Sequence, residues 1–88
     1  MTDPLVSFRE EITGVDLELL QLVNRRIELV RRLHEYKLAE GLPLRDAARE
    51  QALVRELRQH NPGPLSGAGV EALFRFVLDL TREEIHGA

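Results

Sequence analysis

The chain contains no cysteine and no tryptophan, one tyrosine, one methionine and a single lysine among 88 residues. Without cysteine, a disulfide framework and a thiolate metal site are both excluded. The three histidines, His34, His60 and His86, are scattered without ligand-like spacing, so no metal site is expected. One tyrosine offers little for base stacking, and a net charge of −3 leaves no overall basic footprint, so nucleic acid is not an expected partner. No apolar run approaches the roughly 20 residues of a membrane span. Met1-Thr2-Asp3-Pro4 lacks the basic and apolar regions of a signal peptide, so a cytoplasmic location is expected. There is no β-type alternation, no internal repeat and no low-complexity segment.

What is present is helical. With 31% charged and 43% hydrophobic residues, the chain reads as one globular domain over 1–88. Asp3 followed by Pro4 announces a helix start, and Gly41-Leu42-Pro43 announces its end, which predicts a first helix over 4–41. Gly14 is an interior flaw costing about 1 kcal/mol against alanine. A second helix is expected over 46–60, capped by Asp46 and stopped by Asn61-Pro62-Gly63-Pro64. A third, over 68–86, carries Val70, Leu73, Phe74, Val77, Leu78 and Leu80 on its apolar side.

The first helix poses a physical problem. At 1.5 Å per residue it is about 50 Å long, against about 25–30 Å for a compact domain of this size. Two shorter helices cannot cover its apolar stripe of Phe8, Ile12, Val15, Leu19, Leu22, Val30 and Leu33. The expected solution is a second copy of the chain, giving an all-α, three-helix-per-chain, intertwined homodimeric bundle.

Cations interrupt that stripe. Arg26 and Lys37, 11 residues apart, lie in phase with it, and Lys37 is the only lysine beside eleven arginines. Just beyond stands the charged cluster Arg45-Asp46-Ala47-Ala48-Arg49-Glu50. Cations in a buried stripe are costly unless an anion meets them, which points to a small, highly charged anionic ligand. Arg9 faces about 100° away from Arg26; if it serves the same ligand, it would reach it from a partner chain. Taken singly, each charge has an ordinary structural use. Lys37 complements a helix C-terminus, Arg26 pairs with Glu28 or a partner's acid, and Arg9 pairs with neighbouring acids. Asp46 is then a cap, and Arg49-Glu50 a charged first turn.

Together, Phe8-Arg9-Glu10-Glu11-Ile12, Asn24-Arg25-Arg26, Tyr36-Lys37, Pro43-Leu44-Arg45-Asp46 and Arg49-Glu50 resemble the all-helical chorismate mutases in order and spacing. The resemblance implies conversion of chorismate to prephenate without a cofactor, in a dimer whose two sites each borrow an arginine. By position it implies that Arg9 is the borrowed arginine, that Arg26 binds a substrate carboxylate, and that Lys37 donates to the ether oxygen. Asp46 and Glu50 are implied near the ring hydroxyl, and Arg49 beside the carboxylates. Lys37, Arg26 and Glu50 are the implied catalytic set. The chemistry suits these residues: a [3,3] rearrangement needs a dianion held in its reactive conformation and cationic donors where charge grows.

The third helix departs from the family pattern. Thr81 fits the first of two family positions, but the second, usually glutamine or glutamate, falls on Ile85, which cannot donate a hydrogen bond. Glu84 is one residue away, and serves only if the helix is irregular. With this gap, an activating partner such as the first enzyme of the aromatic pathway is a further expectation, to which the loose end His86-Gly87-Ala88 is suited. Two alternatives stay open: an isochorismate-pyruvate lyase on the same fold, and a non-catalytic helical regulatory dimer.

Overall fold

A computed structural model describes residues 3–86. Met1-Thr2 and Gly87-Ala88, the ends of the expected 1–88 domain and of its loose C-terminus, lie outside the described residues. Three helices follow one another, α1 (Pro4–Glu40), α2 (Ala47–His60) and α3 (Gly67–His86), and the described residues include no strand.

Local chemistry sets each boundary. Asp3 Oδ1 accepts the Leu5 N–H at 3.0 Å, and Pro4 starts α1 with a φ already suited to the helix. At the other end Gly41 takes φ +67°, a conformation open to glycine at little cost. Its N–H bonds the Leu38 carbonyl at 3.4 Å, and the Leu42 N–H bonds the Lys37 carbonyl at 2.9 Å. This Schellman pair satisfies two carbonyls of the last turn, and Pro43 prevents the helix from continuing. Asp46 Oδ1 accepts the Arg49 N–H at 2.9 Å and so caps α2. Ser66 Oγ accepts the Gly69 N–H at 2.9 Å, which starts α3 one residue earlier than the expected 68.

Helix α3 packs on both other helices, while among the described residues no Cα atom of α1 comes within 8 Å of one in α2. The N-terminal half of α1 extends beyond the other two, and every residue from Phe8 to Leu22 is exposed. The chain therefore measures 61 × 26 × 20 Å, with a radius of gyration of 16.8 Å. A compact chain of this length would have about 12 Å. Its accessible surface of 7352 Å² likewise exceeds the roughly 5,300 Å² expected of a compact monomer of 10 kDa.

Little of the apolar surface is covered within one chain. Val70 and Thr81 are the buried residues among those described, at 3% and 4% exposure. Along α1, Phe8, Ile12, Val15, Leu19 and Leu22 all stand open to solvent, as does Phe76 of α3. Monomeric soluble proteins rarely leave contiguous apolar surface of this extent. One clearly buried aliphatic side chain is far less core than a domain of this size needs to offset its ordering entropy.

Candidate active site

The last four turns of α1, the loop and first turns of α2, and the C-terminal half of α3 enclose a cavity of about 330 Å³. Of the residues singled out from sequence, Arg26, Lys37, Asp46, Arg49, Glu50, Thr81 and Ile85 line it, and Arg9 and Glu84 do not. The lining carries five cations, with Arg45 and Arg82 joining Arg26, Lys37 and Arg49, against two carboxylates, Asp46 and Glu50. An excess of fixed positive charge in a partly enclosed space favours an anionic occupant.

Arg26 is held across the helix interface. Its Nη1 donates to Thr81 Oγ1 at 2.7 Å, and the Thr81 hydroxyl donates in turn to the Val77 carbonyl at 2.7 Å. The bond to α3 takes the place of the Glu28 pairing that sequence alone left open. Burial lowers the pKa of Arg26 below the ordinary arginine value, while the nearby Glu50 carboxylate acts in the opposite direction. The guanidinium remains protonated throughout the neutral range.

Lys37 sits in the last turn of α1, which the Gly41 and Leu42 bonds terminate. Its Nζ donates to the Leu44 carbonyl at 3.4 Å, a long bond, and it forms no ion pair among the described residues. Asp46 caps α2 through the Arg49 N–H, so one carboxylate both starts the helix and sets Arg49 at the cavity. The structural and functional uses of Asp46 are therefore compatible.

Glu50 is oriented by two arginines. Oε1 accepts from Arg82 Nη1 at 2.6 Å, and Oε2 lies 3.7 Å from Arg45 Nη2. Arg82 also pairs with Asp79, one turn earlier on α3. Sequence reading passed over Arg82. The local signal was slight: a cation next to Thr81 and three residues after an aspartate, with its main partner 32 positions away.

The rest of the lining answers the question raised on α3. Ile85 faces the cavity, whereas Glu84 is exposed and does not line it. No helix irregularity brings Glu84 inward, since α3 is continuous α-helix from Gly67 to His86. His34 and His86, unremarkable in sequence, meet edge to face at the end of the cavity, with ring centroids 5.2 Å apart. Among the described residues no group of three or more histidines and carboxylates could hold a metal ion. No helix is long and apolar enough to cross a membrane, among the residues described.

Arg9 lies elsewhere. It sits on the exposed half of α1, about 25 Å along the helix from Arg26, and makes no ion pair among the described residues.

Comparison with known proteins gives a consistent result. The family described as chorismate mutase type II matches residues 8–85. A bifunctional chorismate mutase/prephenate dehydratase of Enterobacter agglomerans is 35% identical over 81 residues, covering 88% of this chain and 20% of that protein. One of Buchnera aphidicola subsp. Schizaphis graminum is 40% identical over 53 residues, covering 60% and 14%. The chain thus spans a fifth or less of the length of these curated relatives. Among solved structures, form II of a chorismate mutase from Thermus thermophilus superposes with a TM-score of 0.90 at 26% identity, covering 97% of each chain. Form I gives a TM-score of 0.87 at 28% identity, covering 90% of this chain and 99% of that one.

Proposed function

The chain belongs to the chorismate mutase type II family, and from that premise we propose that it is an isomerase converting chorismate to prephenate in a homodimer. The observation that carries this reading is the convergence of Arg26, Lys37, Arg49 and Glu50 on one cavity with excess positive charge. The reaction is a [3,3] rearrangement: one ether C–O bond breaks as one C–C bond forms in a single cyclic movement of electrons. No proton, hydride or leaving group departs, so no general base, nucleophile or cofactor is required.

Catalysis then rests on restraint and electrostatics. Arg26, anchored by Thr81, and Arg49, set by the α2 cap, grip the substrate's carboxylates. A planar guanidinium suits a carboxylate because it donates two parallel hydrogen bonds. Lys37 supplies a point donor to the ether oxygen as negative charge grows on it, and Glu50 and Asp46 receive the ring hydroxyl. A preorganised donor of this kind lowers the barrier by about 3–4 kcal/mol.

Arg9 completes the site from a second copy of the chain. The support is its distance from Arg26 within one chain, and the open apolar stripe of α1 that a second α1 would cover. Ile85 leaves Lys37 without a second donor on α3, so the isolated chain is expected to turn over slowly and to gain from an activating partner enzyme.

The test is a chorismate depletion assay on the purified chain, with the product separated by chromatography. Prephenate is the expected product. Salicylate and pyruvate formed from isochorismate would identify a lyase instead, and no turnover even with the first enzyme of the aromatic pathway added would count against an enzyme.

A further inference from the structure

A second concavity, of about 530 Å³, lies between α2 and α3 and shares the Glu50–Arg82 ion pair with the first as a common wall. It has an apolar floor of Ala47, Val54 and Leu78, and carries Arg55 from α2 and Arg75 from α3. The acids around it are already engaged: Glu71 accepts from Arg58 at 2.6 Å, Asp79 pairs with Arg82, and Glu50 pairs with Arg82 and Arg45. Arg55 and Arg75 form no ion pair among the described residues. Two helices therefore present one uncompensated guanidinium each to a single groove with an apolar base. The exposed apolar residues of α3, Leu73 and Phe76, lie about 100–160° around the helix from Arg75. That exposed apolar face of α3 is therefore separate from the face that carries Arg75.

We propose that this groove binds a small organic carboxylate with an apolar body, its carboxylate between Arg55 and Arg75 and its body on Val54 and Leu78. Charge-assisted bonds from two guanidiniums supply the polar half of recognition, and burial of the body supplies the rest. Because Glu50 and Arg82 form the common wall, an occupant bears on the side chain that orients Glu50 in the first cavity. The binding itself does not depend on the proposed reaction; only its effect on turnover does.

Titration of the ¹⁵N-labelled chain with benzoate, followed by two-dimensional NMR, tests this directly. The amides of Val54, Arg55, Arg75 and Leu78 are expected to shift and to saturate on the order of millimolar benzoate. In the double variant Arg55→Ala/Arg75→Ala those shifts disappear, while any shifts near Arg26 and Lys37 persist and unchanged signals elsewhere report an intact fold. Arg75→Ala alone is the second variant, expected to weaken saturation several-fold. Inorganic phosphate, which lacks an apolar body, is expected to bind the groove at least tenfold more weakly. Absence of saturable groove shifts, their survival in the double variant, or equal binding of phosphate would overturn the proposal. Since the readout is binding, a chain that fails to rearrange chorismate would not be mistaken for one whose groove is empty.

Discussion

In the proposed mechanism Lys37 meets the substrate directly and Thr81 acts only through Arg26, so their variants should separate accordingly. Lys37→Ala removes the proposed donor to the ether oxygen and is expected to lower kcat by about 10²–10³-fold without unfolding the chain. Retained turnover in that variant would remove Lys37 from the chemistry. Thr81→Val keeps the volume but deletes the acceptor that holds Arg26 Nη1 at 2.7 Å. A lost hydrogen bond to a charged group costs about 1.5–3 kcal/mol, so kcat/KM should fall by at least tenfold. Most of that change should appear in KM if Arg26 grips, as proposed, a carboxylate present in ground and transition states alike. Ile85→Gln, which restores a donor facing the cavity, is expected to raise kcat; no change would mean that another group already serves the ether oxygen.

At the scale of elements, the same residues fix helix boundaries and the positions of the candidate site residues. Gly41 at φ +67° ends α1 immediately after the turn that carries Lys37. Gly41→Ala puts a Cβ into a left-handed conformation, at a cost of about 1–2 kcal/mol, and should lower both the melting temperature and kcat. Asp46→Ala should cost about 1 kcal/mol of stability through loss of the cap. These boundaries were legible in the sequence because cap, proline and glycine signals are local: Asp3-Pro4, Gly41-Leu42-Pro43, Asp46 and Asn61-Pro62-Gly63-Pro64 each act within a few residues. The charges on α1 and at the start of α2 were legible for the same reason, since helical phase alone aligns Arg26 with Lys37. What escaped is set by how α3 crosses its neighbours. Arg82 meets Glu50, and His34 meets His86, only once the rotation of α3 about its axis is known. That rotation depends on packing, because the apolar residues of α3 occupy more than one narrow face. It also settles the choice between Ile85 and Glu84, which sequence left open.

The molecule as a whole leaves much apolar surface uncovered as a single chain. Its surface exceeds that of a compact monomer of the same mass by about 2,000 Å², or about 4,000 Å² for two chains, an area in the range buried by obligate homodimers. The uncovered stripe from Phe8 to Leu22 and the remote Arg9 make the same demand on a partner chain. Dilution should therefore lower the melting temperature, as mass action requires of an obligate dimer. A melting temperature independent of concentration, with a monomer in ultracentrifugation, would contradict the dimer.

The most direct test is complementation between two inactive variants. Arg9→Ala and Arg26→Ala chains should each be nearly inactive alone, since every site in either homodimer lacks one carboxylate-binding arginine. Mixed in equal amounts and allowed to exchange, half of the dimers are mixed and each rebuilds one intact site, so about a quarter of wild-type activity should return. Exchange verified by mass spectrometry, with prephenate formation still at the level of the separate variants, would contradict a mutase site shared between two chains.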